Sequence, residues 1–141
     1  MTAIINSYTR ILVVDDFEMV RNMLRTVLSE LSLFDVKNID NGEAAWFELE
    51  KANKEHRPFG LVFLDWNMPR MSGIELLQKL RNDSRFHEVP VIMVTAEGDS
   101  KQVVKAIADG ANDYIVKPFS SETVRKKIDR LNKVLGKPTA S

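Results

Sequence analysis

Residues 61–69 read Leu-Val-Phe-Leu-Asp-Trp-Asn-Met-Pro, and this stretch decides the fold. Four consecutive apolar residues at its start are typical of a strand buried on both faces, as in a parallel sheet. The run then ends at Asp65, and an ionised carboxylate there must be paired, metal-bound or hydrated. Pro69 delays the next helix, because the residue before a proline is disfavoured in the α region. We therefore predict that Asp65 lies at the carboxyl edge of a central strand, where open α/β sheets bind ligands.

Strand-like and helix-like patterns alternate five times along the chain. The predicted strands cover residues 11–14, 36–39, 61–64, 89–95 and 114–116. Each is followed by apolar residues at helical spacing, and such alternation predicts a doubly wound α/β fold, a parallel sheet with helices on both faces. Right-handed crossovers limit its topology. We expect one domain at residues 10–135, between an N-terminal tail at 1–9 and a C-terminal tail at 136–141.

Several helix boundaries carry their own signals. The predicted caps are Asp40 or Asn41 for the second helix, Ser72 within a Ser-x-x-Glu capping box for the third, Ser100 for the fourth and Ser120 for the fifth. Apolar spacing predicts that Phe17 begins the buried face of the first helix. It also predicts a buried face of the fourth helix built from Val103, Ile107 and Ala111. Residues 54–58 are expected to form a charged loop.

The composition excludes several classes of protein. The chain has 141 residues, with 20 Lys plus Arg against 20 Asp plus Glu, so it lacks the basic surplus of a nucleic-acid-binding protein. It contains no cysteine, which rules out disulfides and thiolate zinc sites. No apolar run is long enough to cross a bilayer, and the N-terminus has no signal-like core. We expect a cytoplasmic protein with no membrane or nucleic-acid partner.

Four predicted strands end in residues with matching chemistry. Asp15 and Asp16 follow the first strand, Asp65 ends the third, Thr95 the fourth, and Lys117 follows the fifth. Because parallel strands point the same way, these side chains should meet at one edge of the sheet. Taken alone, the acidic pair could simply cap the first helix and the lysine could be a hydrated surface group. Together, the four endings favour a ligand site.

The charges at this edge indicate which ligand. Two carboxylates about 4 Å apart repel by roughly 4 kcal/mol at an effective dielectric constant near 20. Lys117 offsets only part of three negative charges, so a divalent cation is expected. Oxygen ligands without His or Cys favour Mg²⁺ or Mn²⁺ over zinc. An aspartate can itself accept a phosphoryl group, whereas proton chemistry is disfavoured because no His lies near a strand end.

The sequence resembles the response-regulator receiver domains and, among them, the single-domain chemotaxis regulators. The matching segments are residues 13–17, 65–69, 72–73, 94–97, 110–111, Tyr114 and 116–119. The resemblance spans nearly the whole of residues 10–135 and implies five helices around five strands in the order 2-1-3-4-5. It also implies a cis peptide bond between Lys117 and Pro118.

The resemblance implies roles within the acidic site. Asp65 would accept a phosphoryl group from the phosphohistidine of a histidine kinase. Mg²⁺ would be held by Asp65, by Asp16 directly, by Asp15 through water and by the backbone carbonyl of Asn67. Asn67 and Glu97 flank the site as the pair that tunes hydrolysis, with which a phosphatase could assist.

The resemblance also implies how the site signals. Thr95, the Ala96 amide and Lys117 would meet the phosphoryl oxygens. Tyr114 would swing inward as Thr95 moves, and Tyr114 and Lys127 would contact the partner. Considered without the resemblance, Tyr114 could equally be ordinary core, and the basic face of the last helix is more often merely hydrated.

Three functions remain to be compared. The first is a monomeric phosphorylation switch that binds a target such as the flagellar motor switch, with a phosphorelay intermediate serving a histidine phosphotransfer protein as the runner-up. The second is a phosphohydrolase with an Asp nucleophile, which usually needs a second acid where this chain has Asn67. The third is a dinucleotide-binding module, which needs a glycine-rich turn where this chain has Asp15 and Asp16. The switch is favoured.

Overall fold

The structure is a computed structural model that describes residues 4–96 and 98–136. The strands are β1 (Ile11–Val14), β2 (Val36–Ile39), β3 (Leu61–Asp65), β4 (Val91–Thr95) and β5 (Asp113–Val116). The helices are α1 (Glu18–Glu30), α2 (Gly42–Lys54), α3 (Gly73–Arg81), α4 (Ser100–Ala108) and α5 (Ser121–Leu135). All strand pairs are parallel, in the order β2-β1-β3-β4-β5, which confirms the predicted fold class.

The sheet separates two hydrophobic cores, because successive residues of a strand point to opposite faces. Ile11 and Val13 of β1 pack into one core with residues of α1 and α5. Leu12 and Val14 pack into the other with residues of α2 and α3. Every residue of β1, β3 and β4 is buried, as expected for strands covered on both faces. This double burial holds the carboxyl ends of the central strands in fixed positions.

Three predicted caps are confirmed and one is wrong. Asn41, Ser72 and Ser120 each accept a hydrogen bond from the backbone N–H three residues on. The cap of α4, however, is Asp99, whose carboxylate accepts a 2.8 Å hydrogen bond from the Gln102 amide. Ser100 is instead the first helical residue. Serine and aspartate are both good N-caps. Asp99 caps α4 because it lies three residues before the Gln102 amide, which has no acceptor within the helix.

The buried face predicted for α1 is confirmed at Leu24, Val27 and Leu28 but not at Phe17, and the one predicted for α4 is wrong. Phe17 precedes α1 as its N-cap residue and is 61% exposed, so it lies outside the core. In α4 only Ala106 is buried, whereas Ile107 is 46% exposed. Ala111 is buried, but it lies beyond the end of the helix. The apolar periodicity of α4 therefore marks a surface that the chain itself leaves largely uncovered.

Smaller differences concern element ends. Lys54, predicted in a loop, is the last residue of α2, and β5 begins one residue earlier than predicted, at Asp113. Strand β4 begins at Val91 because Pro90 has no N–H to donate, although its carbonyl accepts from Val62. The Lys117–Pro118 peptide bond is cis, as the resemblance implied. Within residues 4–96 and 98–136, no helix combines the length and apolar character that crossing a bilayer requires.

Candidate functional site

Three carboxylates meet at the carboxyl edge of the sheet. Asp15 and Asp16 follow β1, and Asp65 is the last residue of β3. One carboxylate oxygen from each lies within 4.8 Å of those of the other two. Asp15 and Asp65 are buried and Asp16 is exposed, so the cluster opens to solvent on one side. The structure thus brings together the three residues that the sequence placed at this edge.

Lys117 is the cation that faces these carboxylates. Its ammonium lies 2.8 Å from Asp15 Oδ2 and 3.2 Å from Asp65 Oδ1. Burial alone would lower the pKa of the Lys117 ammonium, but the carboxylates of Asp15 and Asp65 outweigh it, so this pKa is raised above its usual value of 10.5. Lys117 therefore stays charged at neutral pH. One ammonium still faces three carboxylates, which leaves the site with a surplus of negative charge.

Asp65 is the acidic residue of this cluster whose pKa is clearly raised. Burial, followed by the nearby charge of Asp15, raises the pKa of Asp65 from 3.8 to about 7, although Lys117 pulls it down. The Asp65 carboxyl is therefore poised between its two protonation states at neutral pH. A pKa shift of this kind is common at functional sites, because their titratable groups are buried or placed next to like charges.

The donor set fits a hard divalent cation. Asp15 Oδ1 accepts a 2.9 Å hydrogen bond from the Phe17 amide. Asp15 Oδ2 is buried, and the Lys117 ammonium lies 2.8 Å from it. One ammonium facing three carboxylates still leaves an excess of negative charge that a further cation would neutralise. Carboxylate oxygens are the ligands that Mg²⁺ prefers. Asn67 follows β3 and is exposed.

The hydroxyl predicted at the end of β4 is also in place. Thr95 is buried, and its Oγ1 lies 3.5 Å from the side-chain oxygen of Gln102 on α4. Ala96 follows at the exposed end of the strand. Glu97, the other predicted tuning residue, lies outside the described residues. Gln102 was missed in the sequence, because nothing in its helical spacing shows that it reaches back to β4.

A glycine keeps the site's backbone close-packed. The Gly73 amide donates a 2.8 Å hydrogen bond to the Trp66 carbonyl. A Cβ atom at Gly73 would lie 1.8 Å from the Asp65 carbonyl oxygen, far inside contact distance. Any other residue would push the start of α3 away from the end of β3. Gly73 thus fixes where Asp65 stands.

Tyr114 and Lys127 contact each other, and neither belongs to the acidic cluster of Asp15, Asp16 and Asp65. The Lys127 ammonium is 4.6 Å from the centroid of the Tyr114 ring, a cation–π contact. The same ammonium donates a 2.9 Å hydrogen bond to Asp113 Oδ1. Asp113 was also missed in the sequence, where it looks like an ordinary polar residue before a strand. Only the register of α5 against β5 shows that Asp113 and Lys127 meet.

A parallel sheet of this order with an aspartate cluster and a lysine at its carboxyl edge defines a class of protein. Residues 11–129 match the response regulator receiver domain family, so the chain belongs to that family. This confirms the resemblance stated from the sequence.

Within the family, the chain is similar to chemotaxis proteins. It is 41% identical to the chemotaxis protein CheY1 of Helicobacter pylori, over 85% of this chain and 94% of that protein. It is 39% identical to CheY-3 of Vibrio cholerae, over 93% of this chain and 97% of that one. The solved structure of the chemotaxis response regulator CheY4 of Vibrio cholerae matches with a TM-score of 0.77 at 30% identity, covering 87% of this chain and 98% of that one. The chain is a receiver domain homologous to the CheY response regulators, and its acidic site is consistent with a phosphoaspartate signalling switch.

Proposed function

We propose that Asp65 accepts a phosphoryl group from the phosphohistidine of a histidine kinase, and that the phosphorylated protein then binds a protein target in chemotaxis, such as a flagellar motor switch protein. The observation that carries this proposal is the placement of Asp65. Its carboxylate is buried at a strand end, where it pairs with Lys117 and lies close to the charge of Asp15. The three carboxylates of the cluster outnumber the one ammonium that faces them. The names of the similar proteins favour chemotaxis over a phosphorelay role.

The proposed reaction is a transfer between two nucleophiles. A carboxylate oxygen of Asp65 forms a bond to phosphorus while the bond from phosphorus to the donor histidine nitrogen breaks, and that nitrogen keeps the electron pair. Asp65 must be ionised to attack, so its raised pKa opposes the reaction. Bound Mg²⁺ would favour the ionised form and neutralise charge on the transferring group. Asp15, Asp16 and the Asn67 carbonyl would hold it, together with Asp65.

The remaining residues of the site would stabilise the phosphoryl oxygens. Lys117 already contacts Asp65 Oδ1 and can donate to an oxygen of the transferred group. The Thr95 hydroxyl and the Ala96 amide, at the end of the adjacent strand β4, are further donors. Donors held in place before the reaction stabilise the transition state without having to reorganise.

The proposed output surface combines α4, β5 and α5, which are adjacent in the fold. Val104, Ile107 and Val116 expose 66%, 46% and 36% of their surface there. Lys127 of α5 contacts the ring of Tyr114 on β5. Clustered apolar exposure rimmed by charge is typical of protein-binding surfaces. We propose that Thr95 moves toward the phosphoryl group, that Tyr114 responds by changing its ring position, and that the partner distinguishes the two states.

Phosphorylation of the purified protein tests the acceptor. Incubation with acetyl phosphate and Mg²⁺ should add one phosphoryl group, detected by intact-protein mass spectrometry and labile in base. The Asp65→Asn variant should remain unmodified, whereas Asp129→Asn, which changes an exposed carboxylate on α5, should react like the wild type. Labelling of Asp65→Asn at the wild-type rate would assign the acceptor to another residue.

Partner capture tests the output. A pull-down with and without beryllofluoride, which mimics the phosphoryl group, should recover the target mainly from the activated protein. Tyr114→Ala should be phosphorylated almost normally but should lose most of the difference between the activated and unactivated affinities. If Tyr114→Ala and Thr95→Ala both kept the full difference, the proposed route from the site to the surface would be wrong.

A further inference from the structure

One buried carboxylate has no part in the site. Among the described residues, four polar or charged side chains are buried, namely Asp15, Asp65, Thr95 and Asp113. The first three surround the candidate phosphoryl position. Asp113 begins β5 and belongs to a separate group of charges, so its burial needs another reason. A buried carboxylate is kept only where its partners compensate the loss of hydration.

The partners of Asp113 come from its own strand and from α5. Asp113 Oδ1 accepts a 2.9 Å hydrogen bond from the backbone amide of Tyr114 and another of 2.9 Å from the Lys127 ammonium. Arg130 lies further away, at 3.7 Å from Oδ2, and its side chain is largely exposed. Lys127, by contrast, is only 20% exposed. The tight pair is therefore Asp113 with Lys127.

The hydrogen bond to Asp113 fixes the position of the Lys127 ammonium. A lysine on a helix surface ordinarily samples many rotamers, and restricting it to one of them costs conformational entropy. The hydrogen bond to Asp113 holds the Lys127 ammonium 4.6 Å from the centre of the Tyr114 ring. An ammonium at this distance attracts an aromatic face, more strongly when water is partly excluded. The ring is thus favoured in the one position that faces Lys127.

We propose that Asp113 is a positioning residue that controls Tyr114 through Lys127. The carboxylate fixes the ammonium, the ammonium favours one ring position, and movement of the ring away from it breaks the contact. This inference rests on the proposed function, because it concerns the residue that sets the ring position of Tyr114 before phosphorylation. Losing a partly exposed cation–π contact should change the ratio of the two ring positions by about two- to fivefold.

The ring position can be followed directly because the chain contains two tyrosines. Labelling with 3-fluorotyrosine should give two ¹⁹F resonances, and Tyr8, which is 90% exposed, serves as the internal reference. Asp113→Asn retains an oxygen that can accept from the Tyr114 amide but removes the charge that fixes Lys127. Lys127→Met removes the ammonium and retains the length of the side chain. Both should move the Tyr114 resonance, with Tyr8 unchanged.

The double variant separates this mechanism from a local disturbance. If Asp113 acts through Lys127, Asp113→Asn combined with Lys127→Met should shift the Tyr114 resonance no further than Lys127→Met alone. Lys126→Met, one residue away and 71% exposed, should leave the resonance at its wild-type position. A wild-type resonance in Asp113→Asn, or additive shifts in the double variant, would overturn the proposal. If Asp113→Asn fails to fold, an unmoved resonance in Lys127→Met and Lys127→Gln would overturn it equally.

Activation by beryllofluoride and Mg²⁺ then tests the proposed switch separately from the positioning role of Asp113. In the wild type the Tyr114 resonance should respond to activation, and in Asp113→Asn the ratio of ring positions before activation should differ two- to fivefold from the wild type. A wild-type Tyr114 resonance that ignored beryllofluoride would contradict the proposed switch, whereas the positioning role is decided by the variants without activation.

Discussion

Among the described residues, the acidic cluster at the edge of the sheet and the Asp113 pair beside β5 differ in their balance of charge. At the carboxyl edge of the sheet, Asp15, Asp16 and Asp65 lie together, and the Lys117 ammonium pairs with two of them, Asp15 and Asp65. Beside β5, Asp113 alone has a lysine at 2.9 Å and an arginine at 3.7 Å. The first group has surplus negative charge and the second does not.

The difference shows where the molecule is prepared for a ligand. Burial, together with the nearby charge of Asp15, raises the pKa of Asp65 to about 7, and keeping Asp65 ionised in the absence of a cation costs stability. Proteins commonly accept such a cost at functional sites. Around Asp113 the cations already match the carboxylate, so its role is to hold neighbouring side chains. The balance of charge around each group therefore separates a site that awaits a ligand from one that positions residues.

The largest expected effect comes from increasing the excess of negative charge in the acidic cluster at the edge of the sheet. Lys117→Met removes the ammonium that pairs with Asp15 and Asp65 while preserving much of the side-chain volume. Phosphorylation by acetyl phosphate with Mg²⁺ should slow by about 10²-fold, the usual loss when one transition-state donor is removed. Quenched time points analysed by mass spectrometry give the rate.

Lys101→Met on α4 is the control for this experiment, since it removes an exposed lysine. If Lys117→Met were phosphorylated at a rate within about twofold of the wild-type rate, Lys117 would not stabilise the transition state. Its role would then be limited to balancing the charge of the carboxylates.

A second prediction compares the two groups by the same change. Asp65→Asn relieves repulsion and should stabilise the metal-free protein by about 1–2 kcal/mol at pH 8. Asp113→Asn leaves the partly buried Lys127 without its carboxylate and should destabilise by about 1–3 kcal/mol. Urea unfolding in EDTA measures both free energies. Equal signs for the two variants would refute the contrast in charge balance.

The sequence predicts more of the first group than of the second. Buried strand runs, such as residues 61–64, end at charged or hydroxyl residues, and parallel topology alone brings those ends together. The Asp113–Lys127 pair depends instead on how α5 rotates against β5, which no local pattern contains. For the same reason the periodicity of α4 predicted a buried face that the structure exposes. Whether an apolar stripe meets the chain's own core or a partner is decided by tertiary packing.

The third prediction concerns pH. The pKa of Asp65 is about 7 in the folded protein, against 3.8 as its ordinary value. Between these values the folded state binds more protons than the unfolded state, so the free energy of unfolding should fall as pH rises, by at most about 1.4 kcal/mol per pH unit. The loss should be complete about one pH unit above 7.

Urea titrations of the metal-free protein from pH 5 to pH 8 measure this slope, and Asp65→Asn isolates it. The difference in unfolding free energy between Asp65→Asn and the wild type should grow with pH across this window. A constant difference would show that Asp65 is ionised throughout, and would place its pKa near the ordinary value.

The smallest expected effect is the one that restores balance to the first group. Mg²⁺ that binds only the folded protein should stabilise it by about 1.4 kcal/mol at a concentration ten times the dissociation constant. Thermal unfolding with and without Mg²⁺ measures this gain, and the fluorescence of Trp66, next to Asp65, should follow the same titration. Asp16→Ala should lose most of both responses because it removes one carboxylate of the cluster, whereas Asp40→Ala, an exposed aspartate after β2, should retain them. Since the cation requires the ionised form of Asp65, the gain should also be larger at pH 8 than at pH 6. Matching Mg²⁺ responses in Asp16→Ala and the wild type would exclude Asp16 as a ligand and leave the surplus charge at this edge unexplained.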